Sequence, residues 1–286
     1  MPPRFPLGHL LRRIGRLTQI NNMIPTKPRV LVIGDVMIDH YLHGSATRIS
    51  PEAPIPVVKV VSQERRSGGA VNVAENLNSL GVDERLAILP LPWPEKHRLM
   101  VGDTQVARWD TNDVLPPHDI EALDKCVADW PPDAIVISDY AKGSVTDEVI
   151  DWIAERRVLT YVDSKRMPFD FPPECVFFPN QKEYNLWECA YARQLMVVLK
   201  RGASGIAELS KGVVIEEYPA MACHVRSVCG AGDVVLAAYV AAQMRGEPNR
   251  KALWYANLAA AVAVEQPYTA VVRPEQIEAK MKEVAR

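Results

Sequence analysis

Apolar residues fall along this chain in two alternating rhythms. Short unbroken runs read as strands buried on both faces: Arg29-Val-Leu-Val-Ile-Gly34, Ala134-Ile-Val-Ile-Ser138, Val158-Leu-Thr-Tyr-Val162, Cys175-Val-Phe-Phe178 and Leu195-Met-Val-Val-Leu199. Between them apolar positions return at helical spacing. Ile120, Leu123 and Val127 share one face of 117–129, and Val149, Ile150 and Ile153 share one face of 146–157. Strands alternating with helices predict an α/β fold, a three-layer sandwich around a mostly parallel central sheet.

Two stretches break this rhythm. Ile55-Pro-Val-Val-Lys-Val-Val61 is β-prone and prefaced by prolines, which suits an edge strand. His97 to Trp109 reads as a hairpin turning at Gly102-Asp103. With no helix between their strands, these segments predict a small separate sheet, a lid with strands at approximately 40–61 and 97–110. The last third predicts three helices over 231–245, 249–264 and 274–285, rich in alanine where they pack closely.

Composition narrows the function classes. A formal net charge of −2 over 286 residues gives no footprint for nucleic acid or a membrane surface as a general partner. No apolar run approaches the roughly 20 residues that a bilayer span needs. Five scattered cysteines (Cys126, Cys175, Cys189, Cys223 and Cys229) form no CxxC pair and no metal-ligand spacing with the six histidines, so reduced thiols in a cytoplasmic protein are expected. Residues 1–28 differ from the rest: Arg4, Arg12, Arg13 and Arg16 sit among Leu10, Leu11, Ile14 and Leu17. They are read as a flexible tail ahead of a domain spanning 29–286, with a targeting or membrane-surface helix as the alternative and Met23 as another candidate start.

Three segments carry candidate chemistry. Cys229-Gly-Ala-Gly-Asp233 precedes a long apolar helical stretch, which places Gly230, Ala231 and Gly232 at a helix N-terminus. Free amides and the helix dipole make an anion site there, and Asp233 is placed to take a proton from a hydroxyl attacking a bound phosphate. Ser67-Gly-Gly-Ala-Val-Asn72 opens another helix; Gly68 and Gly69 permit close approach of a ligand, and Asn72 offers both a donor and an acceptor. Gly34-Asp-Val-Met-Ile-Asp39 puts Asp35 and Asp39 beyond the first strand, where open α/β sheets bind ligands. Taken singly, the two glycine segments read equally well as helix caps or turns, and a carboxylate in the first turn of a helix is favoured in any case.

Taken together and in this order, the segments resemble the ribokinase-like (PfkB) carbohydrate kinase family, from about Arg29 to the C-terminus. Arg48-Ile-Ser-Pro-Glu-Ala-Pro-Ile-Pro-Val57, Ser138-Asp-Tyr-Ala-Lys-Gly143, Asp163-Ser-Lys165 and Pro179-Asn-Gln-Lys-Glu183 are similar to the kinase domains of bacterial heptose 7-phosphate kinase/adenylyltransferases, whose nucleotidyl-transferring domain is expected to have no counterpart here. The resemblance implies a magnesium-dependent ATP:sugar phosphotransferase acting on O1 of D-glycero-β-D-manno-heptose 7-phosphate, in the chemistry that leads to ADP-heptose. Another sugar, a nucleoside, or an inactive ligand-binding relative are the alternatives.

The same resemblance implies roles. Asp233 is the base, and the Gly230–Gly232 amides are the hole for developing charge. Asp39, Gly68, Gly69 and Asn72, with Asp35, face the sugar. Lys96, Arg98, Arg108, Lys142 and Lys165 are candidates for the sugar's distal phosphate. Asn180 and Glu183 match an Asn-x-x-Glu motif that places phosphates and Mg²⁺, the ion meeting Glu183 through water. Lys200, Gly202 and Gly205 lie in the nucleotide-binding strand–loop, and Asn257 flanks the adenine. A homodimer through the lid is expected, because edge strands invite pairing.

The chain also departs from the family. Ser227-Val-Cys precedes Gly230 where an Asp-Thr pair is usual, which removes a customary monovalent-cation ligand; Lys200 stands where a threonine is usual. Shortened segments lie at Leu89–Glu95 and around Cys189–Gln194. A P-loop kinase and a dinucleotide-binding dehydrogenase are disfavoured, since neither GxxxxGK[ST] nor GxGxxG occurs.

Overall fold

A computed structural model describes residues 27–187, 195–222 and 224–285. The tail over 1–26 and the shortened segment around Cys189–Gln194 lie outside the described residues. Twelve strands and seven helices follow one another among those described. The main sheet holds eight strands: β1 (Arg29–Gly34), β4 (Asp83–Leu86), β7 (Ala134–Asp139), β8 (Leu159–Ser164), β9 (Val176–Phe177), β10 (Met196–Lys200), β11 (Ile206–Ser210) and β12 (Val213–Tyr218). Their order is β12-β11-β10-β9-β8-β7-β1-β4, parallel from β4 through β10 and antiparallel in the final hairpin.

The unbroken apolar runs follow from burial on both faces. Along β1, Val30 and Val32 enter one core while Leu31 and Ile33 enter the other. The same alternation divides Ala134 and Val136 from Ile135 and Ile137 on β7. Each such side chain gains roughly 1.5–3 kcal/mol from leaving water. One core is closed by α1 (Ala70–Ser79), α5 (Ala231–Met244), α6 (Asn249–Val264) and Ile277 of α7 (Pro274–Val284). The other is closed by α2 (Ile120–Asp129) and α3 (Asp147–Arg156). A short helix, α4 (Gln181–Leu186), follows β9. Every residue of α5 from Asp233 to Ala242 is buried, so this helix lies inside the molecule and is apolar all round. Its alanines allow α6 to pack close beside it.

The lid is a four-stranded sheet in the order β3-β2-β5-β6, made of β2 (Val36–Ile49), β3 (Pro56–Gly69), β5 (Glu95–Val101) and β6 (Thr104–Thr111). The predicted hairpin and its turn at Gly102 are present, and β3 is an edge. The glycine pair read as opening a helix does so, with Gly69 serving as the cap of α1, and it also ends β3. The chain passes from β1 into β2 through Asp35 and returns from β3 into α1, so the sheet and the lid meet where the three candidate segments lie.

Candidate active site

The first turn of α5 forms the centre of the cluster. Gly230 caps it with φ 72°, a left-handed conformation natural to glycine. A β-carbon at Gly230 would stand 2.6 Å from Thr269 Cγ2 and 2.9 Å from Asn72 Nδ2, so this position also needs glycine for space. The amides that open the helix have no acceptors within it. Asp233 follows in the same turn and is only 2% exposed.

Two distant elements hold its carboxylate. Asn72 Nδ2 donates to Oδ2 at 2.9 Å, and the Tyr140 hydroxyl donates to Oδ1 at 2.8 Å. Burial pushes the carboxyl up to about 6, against the pull of those two hydrogen bonds; nearby Asp163 adds to the rise and Lys200 opposes it. A carboxylate tuned there is ionised at neutral pH yet basic enough to accept a proton, as a general base requires. Asn72 is itself fixed, since Asn76 Nδ2 donates to its Oδ1 at 3.0 Å.

Tyr140 was not assigned a role from the sequence, although Ser138–Gly143 was singled out as a segment. Two buried acids shape that loop. Asp35 accepts from the amides of Tyr140 (2.7 Å), Lys142 (2.9 Å) and Ser144 (3.3 Å) and from the Ser144 hydroxyl (2.5 Å). Asp139 accepts from the Ala141 amide at 2.8 Å and the Ser164 hydroxyl at 2.7 Å. Expected to face the sugar, Asp35 is instead fully buried and committed to this loop, which aims Tyr140 at Asp233.

Asp39 sits on the lid's inner face. It pairs with Arg98 at 2.6 Å and accepts from the Thr269 hydroxyl at 3.1 Å. Gly68 leaves room for it: a β-carbon there would lie 3.0 Å from Asp39 Oδ2. Gly69, at φ 58°, would collide with the Asp35 carbonyl oxygen if it carried a side chain. Arg98 is buried and holds Asp39. Lys96, whose amine is pushed down by burial, lies 5.1 Å from the Tyr140 ring centre, and Lys165 lies 5.8 Å from it. Arg108 pairs with Asp110 at 2.7 Å and Lys142 pairs with Asp113, both farther out.

The residues expected on the nucleotide side divide into two groups. Lys200, at the end of β10, pairs with Asp163 at the end of β8, and its ammonium reaches the opening of α5: a β-carbon on Gly232 would be 3.2 Å from Lys200 Nζ. Asn180 caps α4, accepting from the Lys182 and Glu183 amides at 2.9 and 3.0 Å, and Glu183 returns a bond to the Asn180 amide at 2.8 Å while pairing with Lys165. Gly202 and Gly205 shape the β10–β11 turn. Gly205 packs against the backbone of 218–220, and Asn257 of α6 donates to the Pro219 carbonyl at 2.8 Å. These last two meet the same segment and make no contact with Asp233.

Comparisons with known proteins bear on the family and the fold. The family model described as pfkB family carbohydrate kinase matches residues 182–276, which include α5 and its cap. The chain is 32% identical to the bifunctional protein HldE of Hydrogenovibrio crunogenus over 90% of its own length, and 33% identical to that of Marinomonas sp. over 88%. It spans 63% of the length of each of these relatives. Among solved structures, Arabidopsis thaliana ribokinase complexed with ribose and ATP superposes with a TM-score of 0.66 at 15% identity, covering 90% of this chain and 99% of that one. Escherichia coli phosphofructokinase-2 in complex with substrates and products gives 0.68 at 16%, covering 91% and 100%. With the ribokinase-type fold, the glycine-capped helix and its buried acid in place, this chain is similar to the pfkB family of carbohydrate kinases, whose model it matches over residues 182–276.

Proposed function

We propose that the chain moves the γ-phosphoryl group of ATP onto a hydroxyl of a sugar phosphate, with Asp233 as the general base. The observation that carries this reading is the buried carboxylate beside the helix-opening amides of Gly230–Gly232, held by Asn72 and Tyr140 and tuned to about 6. Asp233 takes the proton as the acceptor oxygen attacks. The α5 amides and the Lys200 ammonium offset the charge that develops on the transferred group, and fixed donors of this kind need no rearrangement at the moment of reaction.

The sugar lies between Asp39, Asn72 and the lid, where an ionised carboxylate and an amide suit hydroxyl recognition. Lys96 and Lys165, which flank Tyr140, are the cations best placed for its distal phosphate. The nucleotide lies along β10 toward the 218–220 segment, with Gly205 and Asn257 shaping that wall. Magnesium prefers oxygen ligands and keeps much of its water. Asp163 and Glu183 supply carboxylate oxygens of the right chemistry at the ends of β8 and α4. Both are engaged by lysines, which suits contact through water. The ion would neutralise phosphate charge.

Similarity to the HldE proteins over most of the chain favours heptose 7-phosphate as the acceptor and O1 as the attacking oxygen. The reading also includes a homodimer through the lid. Its edge strand β3 leaves Val60 and Val61 exposed, with Ile49 and Ile55 beside them. Incubation with ATP, Mg²⁺ and a panel of sugar phosphates tests the substrate. Heptose 7-phosphate should give the 1,7-bisphosphate at the highest kcat/KM, and a tenfold preference for another sugar or for a nucleoside would reassign the acceptor.

A further inference from the structure

On the face of the lid opposite Asp39 and Lys96, three side chains from two strands converge. β2 and β5 run parallel with His40 level with His97 and Asp39 level with Lys96, so alternation sends the two histidines to the same face. Glu95 joins them from the same side of β5. Its Oε2 lies 3.5 Å from His40 Nε2 and 3.2 Å from His97 Nε2. The ligand atoms of the three residues all fall within 4.8 Å of one another.

Two further observations point to a ligand. His40 is only 2% exposed, and apart from the 3.5 Å approach to Glu95 its Nε2 has no hydrogen-bond partner. A buried unpaired ring nitrogen is costly and calls for an acceptor of its lone pair. The two histidine–carboxylate distances also suit a shared ion. Ions such as Zn²⁺ hold imidazole nitrogen and carboxylate oxygen at about 2.0–2.2 Å, which puts ligand atoms on a tetrahedral ion roughly 3.3 Å apart. A side chain able to fix the ring lies beside it: the Gln63 amide nitrogen is 2.8 Å from His40 Nδ1. Metal binding requires the Gln63 amide to flip and present its oxygen to Nδ1, so that Nδ1 carries the proton and Nε2 is free.

We infer that His40, Glu95 and His97 form a divalent transition-metal site of the zinc class, with water completing the tetrahedron. Two imidazoles and a carboxylate match the borderline softness of Zn²⁺ and do not match Mg²⁺, so this site is separate from the ion that accompanies ATP. The rings of His40 and His97 stack with centroids 4.5 Å apart and 15° between their planes, so the rings turn as both nitrogens take up the ion. The ion clamps β2 to β5 directly behind the strand positions that carry Asp39 and Lys96, so its effect is to stiffen the lid. Binding does not depend on what the chain phosphorylates.

Equilibrium dialysis of the metal-stripped full chain against Zn²⁺, with bound metal measured directly, tests the assignment. Co²⁺ replaces Zn²⁺ in a parallel run, for its visible absorption. The unmodified chain should bind one ion tightly at this site, give the intense visible bands of tetrahedral cobalt, and melt at a higher temperature with zinc than without it. Glu95→Gln and His97→Ala, both at partly exposed positions, should each weaken binding at least ~10-fold and abolish the cobalt bands, while His43→Ala, outside the cluster, should leave both unchanged. Circular dichroism of the stripped variants verifies that they are folded. Absence of binding to the unmodified chain, or equal zinc affinity and cobalt spectra in Glu95→Gln and His97→Ala, would overturn the proposal and leave a plain histidine–carboxylate pair.

Discussion

At the scale of single residues, the chemistry rests on how far burial and hydrogen bonding offset each other at Asp233. Burial raises its carboxyl to about 6, while the Asn72 and Tyr140 donors stabilise the charged form. With Asp233 as the proposed base, kcat/KM should drop below about pH 6 with a slope of one proton. Tyr140→Phe removes a donor to the carboxylate, so the acid limb should move upward, toward neutrality. A profile unchanged by that substitution would remove the hydroxyl from the tuning of the base. The same shift bears on stability. A carboxyl whose folded value lies above its ordinary 3.8 contributes stability that is complete below that value and lost as pH rises through about 6. At pH 8 the protein thus carries an ionised buried acid at a cost of up to about 3 kcal/mol. The GAGD segment was legible in the sequence because glycines before an apolar helix are a local signal. Tyr140 and Thr269 were not, since a tyrosine or threonine takes its role from partners far along the chain.

At the scale of elements, the cap of α5 and the strand end facing it decide whether phosphate fits. Gly230→Ala would force a side chain into a left-handed backbone position and against Thr269 and Asn72. A loss of roughly 1–3 kcal/mol in unfolding free energy is expected, together with a fall in turnover, because Asn72 also holds Asp233. Normal stability and rate in that variant would mean that the cap relaxes without consequence. Lys200, in place of the family's usual threonine, brings a fixed positive charge to the opening of the helix. Lys200→Met should lower kcat/KM for ATP at least ~10-fold, and steady-state kinetics with varied ATP would reveal it; an unchanged value would confine the lysine to its pair with Asp163. The β1, β7, β8 and β10 runs were readable as strands because both faces are buried. The β11–β12 hairpin was not, because Glu208, Ser210, Glu216 and Glu217 interrupt its apolar pattern, and antiparallel strands at a sheet edge tolerate this.

At the scale of the whole molecule, the fold brings residues 72 and 140 to the carboxylate of residue 233 and leaves the lid over it. The alternation of strands and helices made the layered sheet legible, and the missing helix between lid strands made the lid legible. Which charged side chains come near Tyr140 was not legible: Lys96 lies beside its ring, while Arg108 on the same lid face pairs with Asp110 and Lys142, outside the lid, pairs with Asp113. The exposed edge of β3 predicts a dimer by light scattering at micromolar concentration, with Val61→Lys shifting it toward monomer; a monomeric unmodified chain would contradict pairing through the lid. The central claim is tested most directly by Asp233→Asn, assayed for ATP turnover with its sugar acceptor and for ATP binding. The account predicts a folded protein, more stable at pH 8 than the unmodified chain, that binds ATP normally and turns over about 10²- to 10⁴-fold more slowly. Turnover within a few-fold of the unmodified chain would contradict it.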